Sequence, residues 1–229
     1  MEEKKFVTFK KEELGVKEYI KRELGKGRIS SAAIEYTPVG EKIIISTNKP
    51  GLVIGRRGEK IEELTRVLKK RFKLDNPHIE IRDIQNPLLD AQLVADELAV
   101  MLERKGHMRF KIIAYKMLQE IMRAGALGAE IVMAGKLPSE RAKSWRFAQG
   151  YLKKTGDTAK VVSKAQSQAI TIPGVVGIEV SILPPDAYIH DKITIDDSLR
   201  AKLHSTVLEE KTEKKTEKKK RKSKSQEDK

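Results

Sequence analysis

PGLVIGRRGEKIEELTRVLKKRF, Pro50 to Phe72, is the stretch that decides the fold. Apolar Leu52-Val53-Ile54 leads into a four-residue turn, Gly55-Arg56-Arg57-Gly58. After the turn, Ile61, Leu64, Val67, Leu68 and Phe72 fall on one stripe and Glu62, Glu63, Arg66, Lys69 and Lys70 on the other. That spacing belongs to a helix packed on a core. The two glycines allow a sharp turn and leave bare backbone for a ligand to approach. The two arginines put positive charge there, and the following helix points its N–H groups and positive dipole end the same way. Such a loop suits a sugar-phosphate chain and requires no base identity. A glycine-rich helix start that only packs would have no use for two exposed arginines.

Ile54-Gly55-Arg56-Arg57-Gly58-Glu59-Lys60-Ile61 resembles the I-G-x-x-G-x-x-I pattern of the KH RNA-binding domain. The resemblance implies that this loop, with Lys60, clamps about four nucleotides of single-stranded backbone. The flanking sequence supports it. Lys10 to Leu24 reads as an amphipathic helix with Leu14, Tyr19, Ile20 and Leu24 inward, ended by Gly25 and Gly27. Ile29 to Thr37 and Glu41 to Thr47 read as strands, the second carrying Ile43-Ile44-Ile45. His78 to Ile84 alternates as a third strand after the break at Asp75-Asn76-Pro77. Two strands before the GxxG helix and one after it resemble the type II KH fold.

Gln85-Asn86-Pro87 reads as the hinge to a second unit, with Asn86 as a helix cap and Pro87 at the first helical position. Helices are expected to about Lys105 and over Met108 to Ala124, with Gly106 and Gly125 as stops. A β pattern then begins: Ala129 to Leu137, Trp145 to Lys153, Val161 to Ala169 and Gly174 to Leu183. The period of two over Val161 to Ala169 argues a strand, with a helix as the alternative. Two helices on a small sheet make this a second α+β unit.

The fold class expected is therefore α+β with two small domains. Residues 1–86 form an N-terminal type II KH RNA-binding domain, and 87–185 a C-terminal α/β-sandwich-like RNA-binding domain. An irregular extension covers 186–208, and a disordered Lys-rich tail covers 209–229. The tail has no hydrophobic residue and holds 10 Lys/Arg against 6 Asp/Glu, so it adds only +4 to the formal net charge of +14. The remaining +10 lies on residues 1–208, so the folded body itself should meet the polyanion, for which nucleic acid is the default. No apolar run is long enough to span a bilayer and no signal peptide is visible, so no membrane partner and a cytoplasmic location are expected.

A second basic group follows Gly135: Lys136, then Arg141, Lys143 and Arg146 around the stretch ERAKSWR. Cations on a loop between strands are well placed for phosphate contacts. Here a wider resemblance emerges. The KH motif, the helix end Arg123-Ala124-Gly125-Ala126-Leu127-Gly128, the GKL…ERAKS stretch and the closing GVVGIEVSILPP occur in the order of the small-subunit ribosomal protein S three family. The form resembled is archaeal, and the match runs over roughly residues 5–185. It implies a structural ribosomal protein that binds rRNA in the subunit head, lines the channel through which mRNA enters, and touches neighbouring ribosomal proteins. In bacterial members, basic residues on the helix leading into the second sheet help unwind mRNA. The matching positions fall near Lys111, Ile112 and Tyr115, with Arg109 and Lys116 as neighbours. Only Lys111 keeps the charge, so unwinding does not carry over cleanly.

Two other function classes are less favoured. A free KH regulator gives the GKL…ERAKS unit no purpose. An enzyme lacks its parts: no P-loop, no Ser-His-Asp set and no cysteine, and no two of the four histidines at metal-like spacing. Asp186, Asp191, Asp196 and Asp197 read as solvated acids. No catalytic residue, metal or cofactor is expected.

Overall fold

Ile43, Ile44 and Ile45 are all buried on β2 (Gly40–Thr47), the middle strand of a three-stranded sheet. β1 (Ile29–Thr37) pairs with it antiparallel and β3 (His78–Asp83) pairs parallel. A parallel neighbour requires a crossover connection. Pro50 to Phe72 supplies it as two helices, α2 (Pro50–Ile54) and α3 (Glu59–Phe72). A long helix, α1 (Glu2–Leu24), packs beside α3. Val16, Ile20 and Leu24 of α1, Val53 of α2, and Leu64 and Leu68 of α3 close a core over Ile29, Ile43 and Ile45. Gly15 sets the approach of the two long helices, since a methyl group there would lie 3.3 Å from the Phe72 ring.

This computed structural model describes residues 2–37, 40–72, 74 and 76–189. Met1–Tyr188 forms one unit. Residues 190–208 of the expected extension, the tail at 209–229, and Asp191, Asp196 and Asp197 lie outside the described residues.

The second half is a helix layer on an all-antiparallel sheet. α4 (Ala91–Lys105) packs on β6 (Ser163–Thr171) and β7 (Gly174–Leu183), and α5 (Phe110–Arg123) on β4 (Gly128–Gly135) and β5 (Lys143–Gly150). The strand order is β5-β4-β7-β6. Ile131 pairs with Val180 and Met133 with Ile178, so these four point to one face, where they meet Leu98, Leu102, Phe110, Met117 and Ile121. The segment at 163–171 is a strand, which resolves the alternative left open by its period of two.

Several boundaries differ from the sequence reading. α1 begins at Glu2 rather than Lys10, because nothing between them breaks a helix, and Glu3 in the first turn complements the positive dipole end. Leu14, expected inward, is 57% exposed, and Val16 takes its place. α4 starts at Ala91. Pro87–Leu89 form only a 3-10 turn, Asn86 makes no side-chain cap, and the carboxylate of Asp90 accepts from the N–H groups of Gln92 at 2.9 Å and Leu93 at 3.4 Å. β5 spans Lys143 to Gly150 because its pairing with β4 runs from Gly135↔Lys143 to Gly128↔Gly150.

Two acids, Asp90 capping α4 and Asp96 within it, tie the halves together. Ser30 donates its hydroxyl to Asp90. Asp96, 8% exposed, accepts from the backbone N–H of Gly27 at 3.0 Å, from the hydroxyl of Ser167 at 2.7 Å and from the amide of Gln92 at 3.2 Å. Buried polar groups need such partners.

Candidate nucleic-acid interface

Pro50 opens α2 and Gly55 ends it, with φ +76° and its N–H donating to the carbonyl of Gly51 at 3.1 Å. A 3-10 turn, Arg56–Gly58, then leads directly into α3. A side chain at Gly55 would sit 2.9 Å from the Lys60 side chain, so Lys60 lies along the loop. Gly58 (φ +84°) faces open space. Arg57 adopts φ +52°, ψ +22°, the left-handed region that bulky residues avoid. Among the described residues, no acid lies within salt-bridge distance of Arg56, Arg57 or Lys60. Exposed Leu52 and Ile54 flank them with apolar surface. The first turn of α3 carries its own carboxylates, Glu59 and Glu62, so the loop cations rather than the helix dipole supply the attraction for a phosphate. Farther along α3, Thr65 and Lys69 line a cleft of about 550 Å³ with Lys42 and His78.

The two other basic groups, separate in sequence, meet at Trp145. Its indole N–H donates to the carbonyl of Leu137 at 3.1 Å and anchors the loop that carries Lys136 and Arg141. The ammonium of Lys111 lies 4.6 Å from the Trp145 ring centre. Tyr115 meets Phe147 edge-on at 5.1 Å. Thus Lys111 of α5 and Trp145 of β5 meet, with exposed Lys136 and Arg141 on the loop that Trp145 anchors, Lys143 at the start of β5 and Arg109 just before α5. Met108, Ile112 and Tyr115 are 64%, 70% and 59% exposed there, an apolar component that charge counting did not single out.

Two of the expected contacts are already engaged. Lys116 pairs with Glu120 at 3.7 Å. Arg146 pairs with Glu130, which Lys154 also contacts at 2.7 Å. Burial pushes the Glu130 carboxyl up, but hydrogen bonds from Lys154 and Arg146 outweigh it and hold the group below its ordinary range. Glu130 and Arg146 stand on neighbouring strands, offset by two residues, and only the pairing register reveals this.

Two family descriptions match the chain. "KH domain" covers residues 15–89 and "Ribosomal protein S3, C-terminal domain" covers residues 98–182. The chain is 42% identical over 203 residues to "Small ribosomal subunit protein uS3" of Methanocaldococcus jannaschii, covering 88% of this chain and 97% of that one. It is 38% identical to the protein of the same name from Methanococcus maripaludis, covering 85% and 92%. The Methanobrevibacter smithii protein is 35% identical, covering 85% and 78%. The loop geometry, the two basic surfaces and near-full-length similarity thus converge, and the chain belongs to the small ribosomal subunit protein uS3 family.

Proposed function

We propose that the chain is a structural constituent of the small ribosomal subunit that binds rRNA in the subunit head through both halves and contributes to the channel through which mRNA enters. The observation that carries this reading is a glycine-bare loop whose Arg56 and Arg57 have no acidic partner among the described residues, accompanied by Lys111 at Trp145 and the basic loop that Trp145 anchors. Phosphate contacts position a protein on RNA without reading bases. Gly55, Arg56, Arg57, Gly58 and Lys60 clamp a single strand. Lys136, Arg141, Lys143, Arg109 and Lys111 contact folded RNA. Lys116 and Arg146 are held by their acids, and Arg146 lies with Glu130 on the sheet face opposite to Trp145 and Phe147, so neither is counted among the main contacts. On this reading the KH domain occupies 1–86 and the second RNA-binding domain 87–185. The protein works in the cytoplasm, among neighbouring ribosomal proteins, without catalysis.

Sedimentation of a native lysate at low and high salt tests the station. Retention on the small subunit through a salt wash is expected, and release into the free fraction would overturn it in favour of a transient KH regulator. For the loop, replacing Arg56 and Arg57 by Asp should weaken single-strand binding and flatten the salt dependence by about 1.4 in log–log slope for two phosphate contacts. Unchanged affinity would remove the loop from the binding site.

A further inference from the structure

Three apolar side chains stand open to solvent where the second helix of the second half begins. Met108, in the 3-10 turn His107–Arg109, is 64% exposed, and Ile112 and Tyr115, on α5, are 70% and 59% exposed. Ile112 and Tyr115 are three residues apart, so they are neighbours on one helix face. The face that enters the core is the other one, with Phe110, Ile113, Met117 and Ile121. Single exposed apolar residues are ordinary, but an adjacent set rimmed by polar groups marks a contact site. Here the rim is cationic. Lys111 stands four residues before Tyr115, a spacing that puts Cβ atoms about 5–6 Å apart. Neither Lys111 nor Arg109 has an acidic partner among the described residues. Lys116 follows Tyr115 directly and pairs with Glu120, the one acid of α5. Tyr115 is also held in place, since its ring meets buried Phe147 of β5 edge-on at 5.1 Å. A ring that is fixed and still more than half exposed can receive a flat ligand at little further cost in side-chain entropy.

We propose that Tyr115 is a stacking platform for an unpaired RNA base, extended by Ile112 and Met108, with Lys111 and Arg109 holding the adjoining phosphates. A single strand alternates apolar base faces with charged phosphates, and an apolar stripe beside unpaired cations is the complement of that pattern. A partner protein would have to bring acids to the same rim, whereas RNA carries them in its backbone. Stacking accepts any base, because every base has a π face. A duplex keeps those faces covered, so the ligand is a single strand or an unpaired base of folded RNA. The inference rests on the reading that the chain binds RNA and deepens it at one place. It gives three uncharged residues, none of them a phosphate contact, the part that selects unpaired over paired RNA.

The test is photocrosslinking of the full chain to a single-stranded RNA 12-mer substituted with 5-iodouridine, which couples to an aromatic ring stacked on it, and to the same strand in a duplex. Peptide mapping by mass spectrometry is expected to place the single strand, and not the duplex, on Tyr115. Titrations with the 12-mer use the Arg56→Asp/Arg57→Asp chain, so that the GxxG loop does not mask the effect. There Tyr115→Ala should weaken binding roughly 5- to 150-fold, the ratio that about 1–3 kcal/mol of stacking converts to, with the log–log salt slope unchanged. Tyr115→Phe should bind like its parent. Lys111→Gln should instead lower the slope by about 0.7, one single-strand phosphate contact. An Ala variant as tight as its parent, or a duplex crosslinked at Tyr115 as strongly as the single strand, would overturn the stacking site, while a lowered slope in Lys111→Gln would leave the RNA-binding reading standing. An equal loss in the Phe and Ala variants would assign the effect to the hydroxyl and overturn the stacking site as well. No binding of either RNA to the native chain would overturn both readings.

Discussion

The ammonium of Lys111, on α5, sits 4.6 Å from the centre of the Trp145 ring, on β5. Trp145 in turn holds the carbonyl of Leu137 through its indole N–H. One aromatic side chain therefore fixes a cation of the helix and the loop that carries two more. Replacing Trp145 by Phe should keep the ring and lose the hydrogen bond. The expected loss of stability is about 1 kcal/mol. Amide hydrogen exchange should accelerate over 137–143, read by mass spectrometry. Unchanged exchange there would show that the loop is held by other means.

Arg57 predicts a separation of stability from binding. A non-glycine residue in the left-handed region costs about 1–2 kcal/mol. Arg57→Gly removes that cost and gives back about 0.4–1 kcal/mol of it through the freer unfolded chain. Chemical denaturation should therefore show a more stable protein, by roughly 0.5–1 kcal/mol. RNA titration should show a weaker binder, since a loop cation is gone.

Glu130 predicts acid sensitivity. Its folded carboxyl lies below the ordinary value of 4.5. The unfolded chain therefore binds the proton first as pH falls. The contribution to stability is complete above about pH 5 and is lost as pH drops through the folded value. Glu130→Gln should leave Arg146 and Lys154 without their shared carboxylate and cost about 1–3 kcal/mol at neutral pH. It should also remove this group's share of the acid slope. Urea midpoints at pH 7 and pH 3 check both expectations, and an equal loss at the two pH values would refute the charge account.

Asp96 predicts coupling between the halves. Asp96→Ala leaves the N–H of Gly27 and the hydroxyl of Ser167 without their acceptor, at about 2–4 kcal/mol in total. The expected readout is calorimetric. A single unfolding transition in the native protein should split or broaden in the variant, as residues 29–83 unfold apart from the helices and sheet that follow. A sharp single transition at lower temperature would mean that other contacts couple the halves.

Much of the fold was legible in the order of residues because it depends on local periods and stops. β1 and β7 fall at their expected bounds, Ile29–Thr37 and Gly174–Leu183, since glycine and proline residues flank both segments in the sequence. The GxxG loop was legible for the same reason, as four adjacent residues carry all its parts. What the sequence could not place depends on partners distant in the chain. Asp90 rather than Asn86 caps α4, because Pro87–Leu89 close a separate turn first. Leu14 points outward, because the way α1 lies against α3 chooses Val16, Ile20 and Leu24 for the core. Arg146, which looks like a free cation in sequence, is neutralised by Glu130 from the adjacent strand. Lys111 and the loop that carries Lys136 and Arg141 are both held by Trp145, which no local pattern in the sequence could show. Sequence by itself determined the element types and the composition of the basic segments, because backbone propensity and glycine geometry act over a few residues. Tertiary structure alone decided which cations remain available to RNA, because charge pairing depends on distance in space and not on distance along the chain.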